Sequence, residues 1–136
     1  MSTLPSPPPD VLRGGLVMTL EDKRFFLGAD VAQKLAPRPQ ITHLPGSPPG
    51  LLGLALHEGA IVPVLDVGPG RGAMIVCLYR GEHLGLLGAD SIVTGVYDRD
   101  ADGAGVVFEG EKVPPLDLEA LYARVHSAAW GSTWGM

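Results

Sequence analysis

Apolar and polar positions alternate along some stretches of this chain and give way to unbroken apolar runs in others. From Gly15 the period is two: Leu16, Met18 and Leu20 face one way and Val17 and Thr19 the other, which predicts a strand. Glu21-Asp22-Lys23 makes a polar turn into Arg24-Phe25-Phe26-Leu27, so a hairpin is expected. Residues 29–36 carry Val31 and Leu35 at i, i+4 and are stopped by Pro37 and Pro39, which predicts a short helix. A short strand through Ile41 and Leu44 follows. The segment Pro45-Gly46-Ser47-Pro48-Pro49-Gly50 reads as loop, because proline cannot donate to a ladder and glycine permits positive φ.

Two dense apolar runs, 51–56 and 60–67, flank His57-Glu58-Gly59, a three-residue connection in which Gly59 takes the left-handed position. Beyond the Gly68-Pro69-Gly70-Arg71-Gly72 turn come 73–79, the tight Arg80-Gly81-Glu82 turn and 83–87, then β-like stretches at 92–97, 105–108 and 112–116. Short strands spaced this closely predict a barrel or sandwich. The last element reads as a helix: Asp117 is placed to N-cap it, Glu119 lies where the dipole favours an acid, and Leu118, Leu121, Tyr122 and Val125 form an apolar stripe. Trp130 and Trp134 stand in a Gly/Ser-rich tail, where they either pack back on the core or touch a partner.

Composition narrows the class. With 136 residues, 46% of them hydrophobic, the chain holds one domain with a real core or two very small barrels sharing one, and the 19 glycines and 13 prolines fit many tight turns between short strands. A net charge of -5 with no Lys/Arg cluster argues against nucleic acid. The single cysteine, Cys77, sits inside an apolar run, which rules out a disulfide framework and suits a reducing compartment. The Pro-rich start has neither a positive n-region nor an apolar h-region, so no signal peptide or membrane anchor is expected and the protein is read as cytoplasmic. The expected organisation is a Pro-rich tail over 1–13, a folded domain over 14–126 and a C-terminal tail over 127–136.

The stretch from Pro45 to Val67 resembles the signature of CheW-like domains, P-x-x-P-x-x-x-x-G-x-x-N-L-R-G-x-x-x-P-V-x-D-L, with Pro45, Pro48, Gly53, Gly59, Pro63, Val64 and Asp66 in register without a gap. His83-Leu84-Gly85-Leu86-Leu87 is similar to the family's V-G-x-x-V-D strand, with one extra residue that places Asp90 one position late, and Leu116-Asp117-Leu118-Glu119-Ala120-Leu121 to its closing L-D-L-E-x-L. The resemblance implies a mainly β fold of two small packed SH3-like barrels with a short helix and a C-terminal helix. The segments after Asp66 and Ile92 look short for the family, so a divergent or trimmed member is expected, with the completeness of the second barrel left open.

It also implies a function: a non-catalytic, cofactor-free adaptor of a chemotaxis-like system. Such a protein binds the cytoplasmic tip of a chemoreceptor (a methyl-accepting chemotaxis protein) and the regulatory domain of a CheA-type histidine kinase. The partner-binding residues carried over are Pro48, Leu51, Leu52, Leu56, Glu58 and Ile61. Where the family has N-L-R this chain has Leu56-His57-Glu58. A carboxylate only accepts where a guanidinium donates a bidentate fork, so the contact at Glu58 must be altered or lost. A divergent regulator that binds one partner alone is the alternative.

Other chemistries compete for the same residues. Asp98, Asp100, Asp102, Gly103 and Glu109 fit the EF-hand calcium-loop pattern, giving a second alternative, a calcium-modulated binding module; but β-like flanks and Pro114-Pro115 leave no room for the paired helices, and a solvated acidic tip is the plainer reading. His43, His57, His83 and His126 show no zinc spacing, even with Asp66 or Asp90 added. Cys77 and Ser91 lack any local sign of activation, and no nucleotide-binding loop is present, so no enzyme is expected.

Overall fold

A computed structural model describes residues 11–126 apart from Pro48 and Asp102, with residues 124–126 described by backbone alone. Trp130 and Trp134, most of the Pro-rich start and the side chain of Val125 lie outside the described residues. Among the described residues ten strands make two five-stranded sheets, and one helix packs beside them.

The first sheet joins the two ends of the folded chain. Strands β1 (Leu12–Leu20) and β2 (Lys23–Gly28) form the expected hairpin, and β8 (Ser91–Arg99), β9 (Val106–Phe108) and β10 (Glu111–Val113) return beside it in the order β10-β9-β8-β1-β2. It curls shut where the Phe26 N–H donates to the Pro114 carbonyl and the Leu116 N–H donates to the Phe26 carbonyl, each at 2.8 Å. The second sheet is made wholly of the intervening chain. Strands β3 (Ala32–Ala36), β4 (Leu51–His57), β5 (Ala60–Asp66), β6 (Met74–Tyr79) and β7 (Glu82–Leu87) lie in the order β3-β6-β7-β5-β4, with β5 and β7 parallel. Its ends meet through reciprocal Thr42–Leu54 backbone hydrogen bonds of 2.8 and 2.9 Å. Gly53 makes that closure possible, since its φ of 153° accompanies an approach to the Thr42 carbonyl too close for any Cβ.

Side chains on the two faces of these strands fill three separate spaces. Inside the first barrel Val17, Phe26, Tyr97, Val106 and Val113 pack with Phe108. Its aromatic rings meet edge to face, Phe26–Tyr97 at 6.1 Å and Tyr97–Phe108 at 5.6 Å, and a guanidinium stands at either end, Arg13 over Phe26 and Arg24 over Phe108. The second barrel is filled by aliphatics, among them Val62, Val64, Met74, Val76 and Leu87. The third space lies between the barrels and takes Leu16, Met18 and Leu27 from one sheet, Leu65, Ile75, Cys77, Leu84 and Leu86 from the other. Strands buried on both faces have no polar side to alternate with, which is why the sequence from 60 to 87 reads as dense apolar runs.

Helix α1 (Leu118–His126) caps this shared core through buried Leu118. The Ala120 N–H donates to Asp117 Oδ1 at 3.0 Å, confirming the N-cap. Arg80, in the β6–β7 turn, is ion-paired with Glu119 and stacked beside Tyr79 and Tyr122, while the Tyr122 hydroxyl donates to Glu82 at 2.7 Å.

Several sequence expectations need correction. Residues 29–36 are not helical: a two-turn helix cut off by Pro37 has little intrinsic stability, whereas β3 pairs with β6, and the Leu78 N–H donates to the Val31 carbonyl at 2.9 Å. The expected strand through Ile41 and Leu44 shrinks to the single bridge at Thr42. The three-residue turns are two-residue turns with both φ angles positive, at Glu21-Asp22, Glu58-Gly59 and Arg80-Gly81, a geometry that follows the natural strand twist. β10 ends at Val113, before the prolines, and β1 begins at Leu12, inside the stretch read as tail. The open question of the second barrel is answered by its strands, for each sheet has five.

Candidate partner-docking surfaces

The β4–β5 hairpin gathers most of the candidate residues, but in different settings. Leu56 and Ile61 lie directly opposite each other across the ladder near its tip, and both point to solvent, at 70% and 69% exposure. Leu51 and Leu52 are half-buried, the first against the core between the barrels and the second against the interior of the second barrel, so they support the hairpin from below. Pro48 lies outside the described residues. Pro45 is exposed in a turn, and Gly59, at φ 82°, completes the hairpin turn with Glu58.

Glu58 accepts an ion pair from Lys34 of β3, and His57 Nε2 lies 3.8 Å from the same carboxylate. The acid that replaces the family's arginine therefore has a partner within its own fold. Glu58→Arg is expected to set two cations together and to lower stability by about 0.5 kcal/mol, with the doubly reversed Lys34→Glu, Glu58→Arg variant recovering most of it; thermal melts of the three variants read this directly.

A second apolar surface was invisible in the sequence. Where the barrels meet, Gly14, Gly15, Leu16, Leu35, Thr94 and Gly95 line a groove of about 350 Å³. Val96 at 67% exposure stands across the β1–β8 ladder from Gly14, carrying the apolar face of the first sheet past the seam into solvent. The residues come from three segments, from Gly14 to Gly95, and nothing local marks them.

The groups considered for chemistry are held in structural roles. Cys77 is fully buried and burial pushes its thiol up to about 12, the opposite of an activated nucleophile. Keeping that thiol protonated adds stability that is present below the ordinary thiol value of about 8.5 and is lost as pH rises toward 12. Iodoacetamide at pH 8 is therefore expected to leave the folded chain unlabelled and to label it once in denaturant; prompt labelling of the native protein would contradict this burial.

The Ser91 hydroxyl donates to Thr19 Oγ1 at 3.0 Å, and Asp90 Oδ2 accepts from the Glu21 N–H at 3.0 Å, fixing the first hairpin turn. Asp66 accepts from the Gly68 N–H at 3.0 Å, and the His43 ring donates from Nδ1 to the Leu52 carbonyl at 2.9 Å. In the calcium-loop pattern, Asp98 belongs to β8 and Glu109 is ion-paired with Arg24 at 2.8 Å, while Asp102 lies outside the described residues. Among the described residues no three His, Cys, Asp or Glu side chains gather to hold a metal ion. No described helix is long and apolar enough to cross a membrane.

Two SH3-like barrels fused through a common core, with exposed apolar side chains on the outside, define the class of fold. Residues 14–69 match the model of the CheW-like domain. Its fold is similar to the crystal structure of the scaffolding protein TtCheW from Thermoanaerobacter tengcongensis, with a TM-score of 0.68 at 16% identity over 90% of this chain and 94% of that one. No curated protein matches the chain in sequence.

Proposed function

We propose that this protein couples the cytoplasmic tip of a chemoreceptor to the regulatory domain of a CheA-type histidine kinase in a chemotaxis-like array. The observation that carries the reading is the presence of two apolar surfaces on one small domain, the Leu56–Ile61 face and the seam groove, with Lys34 at the groove wall ion-paired to Glu58 of the hairpin. Large aliphatics exposed to two-thirds of their area at the end of a hairpin cost solubility unless a partner covers them. The hairpin face suits packing of barrel against barrel, as with a kinase domain built on the same plan. The groove, floored by glycines, lets a helix approach closely and suits a receptor coiled coil. Leu56 and Ile61 are the contact residues, with Glu58 at the rim; Leu51 and Leu52 hold the hairpin in place, and the folded adaptor takes in the strands and helix from Leu12 to His126.

The test is binding of the purified chain to a receptor-tip fragment and to the kinase regulatory domain, separately and together. A ternary complex is the expected result. Capture of only one partner would replace the coupling role with that of a one-sided regulator. Introducing Thr94→Trp into the groove is expected to weaken the receptor fragment about tenfold or more and to leave kinase binding unchanged.

A further inference from the structure

The closure of the first barrel stops after one bridge, and the reason is chemical. For the parallel ladder between β2 and the Pro114–Leu116 segment to continue by one rung, residue 114 would have to donate its N–H to the Arg24 carbonyl. Proline has none. The strands splay, and a cleft of about 430 Å³ opens between Lys23, Arg24 and Phe25 on one wall and Glu111, Lys112 and Val113 on the other. Charge spans what the backbone leaves apart: Arg24 reaches Glu109 at 2.8 Å and Glu111 at 3.1 Å while its guanidinium lies 5.1 Å from the Phe108 ring centre.

The hairpin it grips buries Val106 and Val113 in the barrel core but has few backbone ties to the rest of the sheet. β9 and β10 have three residues each, and β9 pairs with β8 through only two positions, Asp98–Val107 and Arg99–Val106. We infer that the β9–β10 hairpin is a salt-responsive flap on the first barrel, latched by Arg24 across the cleft that Pro114 keeps open. Its carboxylate partners are well exposed, so dissolved ions compete for both bonds, and opening bares Phe108 and the two strand edges that flank the cleft.

Hydrogen exchange of the full chain, followed by mass spectrometry at low salt and at about 1 M salt, tests this. The amides of residues 106–113 are expected to exchange about fivefold faster at high salt, with those of β6 and β7 unchanged. Arg24→Gln at low salt should reproduce the fast rate and lose the salt response; Glu109→Gln with Glu111→Gln should do the same, which guards against one variant that folds poorly. Salt-independent exchange at 106–113 in the parent overturns the inference, as does a salt response that survives in both variants or one shared equally by β6 and β7.

Discussion

Changing Leu56 and Ile61 together to aspartate is expected to abolish kinase-domain binding, a loss of about a hundredfold or more, while shifting the melting temperature by only a few degrees. The asymmetry follows from exposure. Each side chain already spends most of its area in water, so the fold surrenders little when they become polar, whereas an apolar interface centred on them would have to bury two carboxylates without partners. The Leu56→Ala, Ile61→Ala variant should fall between, for it removes contact area without adding charge. Calorimetric titration and a thermal melt on the same preparations separate the two quantities. If the double aspartate variant binds as tightly as the parent, the hairpin face is not the docking surface, and attention passes to the seam groove.

The second large effect concerns folding. Gly88→Ala is expected to cost about 3 kcal/mol or more, lowering the melting temperature by roughly 10–20 °C or preventing folding. Here the chain crosses from the second barrel back to the first, and two backbones run against each other: Val67, Gly70 and Gly72 donate to the carbonyls of Leu87, Gly88 and Ala89 at 2.7–2.9 Å. Gly88 has a φ of 120°, and a methyl group there would sit inside the van der Waals envelope of the Gly68 backbone. Backbone cannot swing aside as a side chain does. Gly59→Ala is the matched control, with φ also positive but no atom within 4 Å of the added carbon, and should cost only about 1 kcal/mol. Equal melting curves for the two variants would show that the crossing relaxes and that φ alone sets the cost.

The features readable from sequence were those whose cause is local. The β1–β2 hairpin, the β4–β5 hairpin and the capped helix each carry their own pattern within a dozen residues, and each is present. β3 was misread because Gln33, Lys34 and Leu35 lie on an exposed edge, where no alternation is enforced, and its partner β6 begins nearly 40 residues later. The parallel pairing of β5 with β7 and the seam groove depend on contacts no window contains. At the hairpin the resemblance put Leu51, Leu52, Leu56, Glu58 and Ile61 forward together as partner-binding, yet Leu56, Glu58 and Ile61 are exposed while Leu51 and Leu52 are half-buried. A leucine near a turn looks the same on paper whichever way it points, and only register decides.

The nesting of one barrel inside the other also orders events during synthesis. All five strands of the inner unit have been translated by Leu87, so it is able to close while the ribosome is still working. The outer one must hold β1 and β2 in waiting until β8 emerges, because Leu12 pairs with Asp98 at the far end of the ladder. Until then the apolar underside of that first hairpin has only the newly closed inner barrel to lean on, which makes the shared core the template on which the rest of the molecule is laid down.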